Sequence, residues 1–147
     1  MMSQSEIHAA FKRLLGAGLV RKGLTGDELP YPILNAAEEY LIHAVKYSFP
    51  VSLKEYTPGI PTGVAAPVFK NKILMGSDPL PVWPYGKGKV KGLSVTPLYS
   101  TIPEAITKYP DQSFYDLLAI LDAIRCGRAR ERNMAVELLR EKINHGK

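Results

Sequence analysis

The chain has 147 residues, of which 46% are hydrophobic and 22% charged, with a formal net charge of +5; this fits one soluble globular domain with a substantial core. No run of about 18 apolar residues occurs, which excludes a membrane-spanning helix, and the polar N-terminus lacks the apolar stretch of a secretory signal. Cys126 is the only cysteine, which excludes an internal disulfide and any multi-thiolate zinc site and makes a reducing cytoplasm the natural compartment.

In chain order, the first predicted element is a helix beginning at Ser3. Ser3 followed by Glu6 has the spacing of a reciprocal capping box, and Ile7, Ala10, Phe11, Leu14 and Leu15 recur at helical spacing. Gly16 and Gly18 stop the helix. Leu19-Val20-Arg21-Lys22 then leaves it as a short apolar-then-basic run, suited to the first strand of a wing. The string resembles the third helix and wing start of MarR-like winged-helix regulators, in which a serine-capped helix ends in R-L-x-x-A-G-L-V. The matching residues are Ser3, Glu6, Ile7, Ala10, Lys12, Arg13, Leu14, Ala17, Gly18, Leu19 and Val20.

The resemblance implies a recognition helix over residues 4–13 in the major groove and a wing on the backbone. Gln4, Ser5, His8, Lys12 and Arg13 are then the base and groove contacts, and Arg21 and Lys22 the phosphate contacts. The competing reading keeps the helix for packing alone, with Ile7, Phe11 and Leu14 as core contacts. A winged-helix domain has two helices before its recognition helix, so a start site placed too far downstream is the expected explanation for a chain opening at the cap.

Lys22–Pro32 reads as turn and loop, with Pro32 in the first turn of the next helix. That helix carries Ile33, Ala36, Ala37, Tyr40, Leu41, Ala44 and Val45 on one face and ends near Ser48. His43 lies beside its stripe and reads as a packed side chain rather than a ligand or base.

Residues 50–110 hold ten of the twelve prolines. Val64, Val68, Phe69, Val82, Trp83 and Leu98 are too apolar to leave in water, so an ordered, extended wrap over the helices is expected, packing by side chains rather than by its own ladder. Within it Val82–Val95 is the best β-hairpin candidate. A strand there aligns Lys87, Lys89 and Lys91 on one face, either to bind phosphate or to protect a solvated edge.

A short helix opened by Thr101 or Ile102, with Pro103 in its first turn, is followed by a stronger one capped by Asp111 and Ser113. Phe114, Leu117, Leu118, Leu121 and Ile124 form the apolar face of the second, and Cys126-Gly127 stops it. A last helix from about Arg128 packs back as a hairpin. The junction holds Arg125, Arg128, Arg130 and Arg132. Such forks bind phosphate or carboxylate bidentately, so they are candidates for anion or partner binding; the alternative is ion pairing with neighbours such as Asp116, Asp122, Glu131 and Glu137.

The succession Val82-Trp83-Pro84, Gly88 to Gly92, Pro97-Leu98-Tyr99, Pro103-Glu104-Ala105, Tyr115 to Ala119, Leu121 to Arg125 and Gly127 to Arg132 resembles a group of uncharacterised bacterial proteins that carry an N-terminal MarR-like winged helix-turn-helix. That resemblance implies a DNA-binding transcription regulator, or an antitoxin-like or adaptor partner of a neighbouring gene product. The sequence reading is therefore mainly α with minor β: a partial winged-helix-like region over 1–49 and a Pro-rich wrap plus C-terminal helices over 50–147, integrated in one domain. The expected partners are double-stranded DNA and a second copy in a homodimer, with no membrane, metal or cofactor. Tyr85–Gly92 has glycines without the helix a phosphate loop needs. Cys126, flanked by arginines that could lower its pKa, is the sharpest enzymatic feature, and the expectation is a buried, inert thiol and no enzyme.

Overall fold

The computed structural model describes residues 2–53, 55–74 and 76–145. It is mainly α with minor β. Helix α1 spans Gln4–Gly16, and both halves of its capping box form: the Glu6 N–H donates to Ser3 Oγ at 3.2 Å, and the Ser3 N–H donates to Glu6 Oε2 at 2.7 Å. Gly18, at φ +73°, takes the left-handed turn that ends it. Strand β1 (Val20–Arg21) then pairs antiparallel with β2 (Tyr31–Pro32). Pro32 therefore sits in a strand and not in the first turn of the next helix; Ile33, whose N–H donates to Leu19 O at 2.8 Å, takes the cap position. Helix α2 (Leu34–His43) is interrupted at Ala44 and continues as the single turn α3 (Val45–Ser48).

The proline-rich region differs from the sequence expectation in one important way: it builds its own ladder. Strand β3 (Tyr56–Pro61) pairs antiparallel with both β4 (Pro81–Pro84) and β5 (Val90–Ser94), and β4 and β5 pair parallel, closing a three-stranded barrel. The expected Val82–Val95 hairpin is thus absent. Its two strands run the same way because β3 takes the antiparallel position beside each of them, with Gly59 opposite both Pro84 and Val90. The glycine-rich connection crosses the barrel end instead of reversing between neighbours. Of the three lysines expected on one strand face, only Lys91 lies in a strand; Lys87 and Lys89 are in the connection, and all three are exposed.

So narrow a barrel leaves no room for a Cβ on the glycines of β3 and β5. A Cβ on Gly59 would lie 2.1 Å from Trp83 O, and one on Gly92 would lie 2.0 Å from Leu80 O. The two fully buried side chains of β4 face opposite ways, as neighbours on a strand do: Trp83 points out to Ile102 and Leu118, and Val82 fills the inside, its methyls 2.8 Å from where Cβ atoms on Gly59 and Gly92 would lie.

Helix α4 (Ile102–Lys108) follows Thr101 and carries Pro103 in its first turn, as expected. Helix α5 (Gln112–Cys126) is capped by Asp111, whose carboxylate accepts from the Phe114 N–H at 3.0 Å. Only Gly127 and Arg128 separate α5 from α6 (Ala129–His145), so the two form the expected hairpin. Ile120, Ala123 and Ile124 of α5 pack against Ala135, Leu138 and Leu139 of α6, with Ile42, Val45 and Phe69 closing the cluster. A second cluster joins Trp83, Ile102 and Leu118. Phe114, expected on the core face, is 47% exposed, one turn too early in α5 to reach either cluster. Among the described residues no helix is long and apolar enough to cross a membrane.

Gly59→Ala and Gly92→Ala are each expected to cost about 1–3 kcal/mol, as overpacking does. Gly86→Ala, with open space around the added methyl, should be neutral or slightly stabilising. Urea unfolding of the three variants separates these outcomes; equal midpoints would show that the barrel is not the constraint described.

Candidate functional site

Three regions hold the sequence-predicted residues. The first is α1 with its hairpin. Its contacts with the body are sparse, and no residue of α1 is buried. One tether is the Tyr99 hydroxyl, which donates to Glu6 Oε1 at 2.8 Å. Ile7 is 54% and Leu14 40% exposed, so they are not the core contacts of the packing alternative. With Phe11, Val20 and Leu29 they line an open apolar groove of about 950 Å³, bordered by Gln4, Ser5 and His8. Lys12 and Arg13 lie outside the groove: at about 100° per residue they fall on the far side of the helix from Ile7, Phe11 and Leu14. Arg21 and Lys22 are exposed, and the Arg21 guanidinium stands 5.9 Å from the centroid of the Tyr31 ring across the hairpin.

The second region is the arginine junction, which does not present four free forks. Arg125 is buried, with its Nη1 donating to Asp122 Oδ1 at 2.6 Å, Nε to Phe49 O at 2.9 Å and Nη2 to Thr96 O at 3.2 Å. Arg132 folds back on the end of α5, donating to Ile124 O at 3.1 Å and Gly127 O at 3.2 Å, where a cation also suits the helix dipole. These two are therefore withdrawn from the anion- or partner-binding set: backbone carbonyls and a buried carboxylate have claimed their donors. Arg128 remains exposed and pairs with Asp78 at 2.5 Å. Arg130 is exposed, with no ionic partner among the described residues.

Behind the junction lies the third region, a buried node centred on Asp122. The Thr62 hydroxyl and Trp83 Nε1 each donate to Asp122 Oδ2 at 2.6 Å, opposite the Arg125 contact. Burial pushes the Asp122 carboxyl above its ordinary value, opposed by the Thr62 hydrogen bond and the Arg125 charge. Trp83 and Arg125 can only donate, so the carboxylate form fits this pocket. Tyr115 stacks edge-on against Trp83, with ring centroids 5.6 Å apart, and its hydroxyl donates to Pro61 O. Its pKa is pushed up to about 12 by burial and by Asp116. Thr62, Trp83 and Tyr115 were not among the candidate site residues. The available signal was Asp122 itself, an acid inside the apolar run Leu117–Ile124 with an arginine three residues on.

Cys126 donates to Asp122 O at 3.0 Å. Burial pushes its thiol up to about 12, with Asp122 adding to the shift and Arg125 opposing it. The arginines therefore do not produce an activated thiolate. Among the described residues no group of three or more His, Cys, Asp or Glu side chains is placed to hold a metal ion. Beside the junction, between it and residues 72–74 and 76–80, opens a cavity of about 800 Å³. No family model, curated protein or solved structure matches this chain.

Asp122→Ala leaves the Arg125 cation buried without its partner and is expected to cost about 3–5 kcal/mol. Asp122→Ala with Arg125→Met should lose less than the sum of the two single changes; strict additivity in urea unfolding would rule out the coupling. At the other end of the chain, the Glu6 carboxyl is held below its ordinary value of 4.5, chiefly by the Ser3 N–H and then by the Tyr99 hydroxyl. A depressed carboxylate contributes its stability above the unfolded value and loses it as pH falls through the lower folded one. The α1 cap should therefore be complete above pH 4.5 and fail below it. An NMR titration of Glu6 with a midpoint at or above 4.5 would contradict this.

Proposed function

We propose that this chain is a DNA-binding transcription regulator of winged-helix type, acting in the cytoplasm as a homodimer, with α1 in the major groove and the β1–β2 hairpin on the backbone. The observation that carries the reading is a doubly capped helix of 13 residues with no buried side chain, followed at once by a two-stranded hairpin bearing exposed Arg21. The major groove is about 12 Å wide and admits one helix. Lys12 and Arg13 sit on the polar side of α1, free of the apolar groove; Gln4, Ser5 and His8 stand at its margin, where they reach base edges from the first turns of the helix. Arg21 and Lys22 supply phosphate contacts, and Lys87, Lys89 and Lys91 extend the basic surface.

The partner-docking alternative, an antitoxin-like or adaptor role, rests on Arg128 and Arg130 alone, since Arg125 and Arg132 are bonded within the fold.

The test is fluorescence anisotropy on random duplex DNA at several salt concentrations. Binding should weaken with salt at a logarithmic slope of about −0.9 for each phosphate contact, so Lys12→Glu with Arg13→Glu should flatten the slope and weaken binding at every sequence. Absence of binding at low salt, or binding indifferent to that double substitution, would overturn the reading.

A further inference from the structure

The cavity beside the α5–α6 junction has a composition that identifies its ligand class. Its apolar wall is made by Val64, Ile73, Leu80, Leu93 and Met134, with Ala123 of α5 contributing as well; among the described lining residues none is aromatic. Such a wall gives a flat ring nothing to stack on and gives a methylene chain close contact on several sides. The volume of about 800 Å³ lies in the range of small-molecule sites, roughly 300–1,000 Å³.

The charged lining is lopsided. Asp78 is paired with Arg128, and a Glu131 oxygen accepts from the Arg128 N–H at 2.8 Å, leaving three cations on the described lining against two acids. Lys72 and Arg130, also on the lining, have no ionic partner among the described residues. An unpaired guanidinium and an unpaired ammonium beside an aliphatic wall match one kind of small molecule: a saturated chain ending in a single carboxylate, which the arginine fork takes in bidentate fashion. We infer that this cavity is a binding site for an aliphatic carboxylate, with the chain against Val64, Ile73 and Met134 and the head group between Lys72 and Arg130. The inference is independent of DNA binding, which uses residues at the opposite end of the chain.

Decanoate is the probe, followed by amide NMR on the full chain. Gly63, Gly76 and Gly127 line this cavity, whereas Ala10, Phe11 and Leu14 line the other apolar groove, so their amide signals tell the two sites apart. The expected result is saturable movement of the Gly63 and Gly127 amides, at least tenfold weaker binding of decanol, and at least tenfold weaker decanoate binding by Lys72→Glu with Arg130→Glu. Both replaced side chains are exposed, so the variant keeps its fold. Met134→Trp, which narrows the cavity where the chain lies, should weaken decanoate binding. Movement confined to the Ala10, Phe11 and Leu14 amides, no saturable movement, or equal affinity for decanol and decanoate would overturn the proposal.

Discussion

The fold depends on one buried carboxylate. Asp122 receives the Thr62 hydroxyl from the end of β3, Trp83 Nε1 from β4 and the guanidinium of Arg125 from its own helix. Through Arg125 the same node reaches the carbonyls of Phe49, just after α3, and Thr96, just after β5. Barrel, α2–α3 segment and central helix are therefore held in one relative position by directional bonds. A buried ion pair of this kind adds little net stability compared with a well-packed apolar replacement. Its contribution is to orientation, because any other docking of barrel on α5 strands a donor or an acceptor away from water. Among the described residues no buried side-chain nitrogen or oxygen lacks a partner, so the network is closed.

That closure explains why the arginine junction was hard to read. Four arginines in eight residues look alike as a string. Helical phase and a long-range partner distinguish them: Arg125 lies on the face that α5 turns inward, Arg132 lies where α6 passes the end of α5, and Arg128 and Arg130 stand exposed on the rim of the cavity beside the junction. The helices themselves were legible, because their signals are local. Ser3 with Glu6, Pro103 in a first turn, Asp111 as a cap and Gly127 as a stop each act within a few residues, and each stands where the sequence placed it.

The barrel was not legible, for an equally physical reason. A glycine-rich turn between two short apolar runs has the local signature of a hairpin, and Val82–Val95 has it. What makes those strands parallel is β3, more than twenty residues earlier, whose own sequence contains two prolines and reads poorly as a strand. Three glycines here serve close backbone approach rather than a turn: Gly88 lies against Gly59, Gly92 against Leu80 and Gly59 against Trp83. Non-local strand pairing leaves its trace as missing side chains rather than as a periodic pattern.

The N-terminal helix shows how one element can serve two surfaces. Its apolar stripe of Ile7, Phe11 and Leu14 faces a groove that the described chain leaves open, and a contiguous apolar surface of that kind marks an interaction site. Lys12 and Arg13 stand on the other side, so a partner on the stripe and a polyanion on the basic side do not compete for space. Gln4 and His8 are different. They lie at the border of the groove, so any partner covering the stripe also comes up against them. Within the DNA reading, the contacts made by Lys12 and Arg13 are thus independent of what covers the helix, whereas those of Gln4 and His8 depend on it.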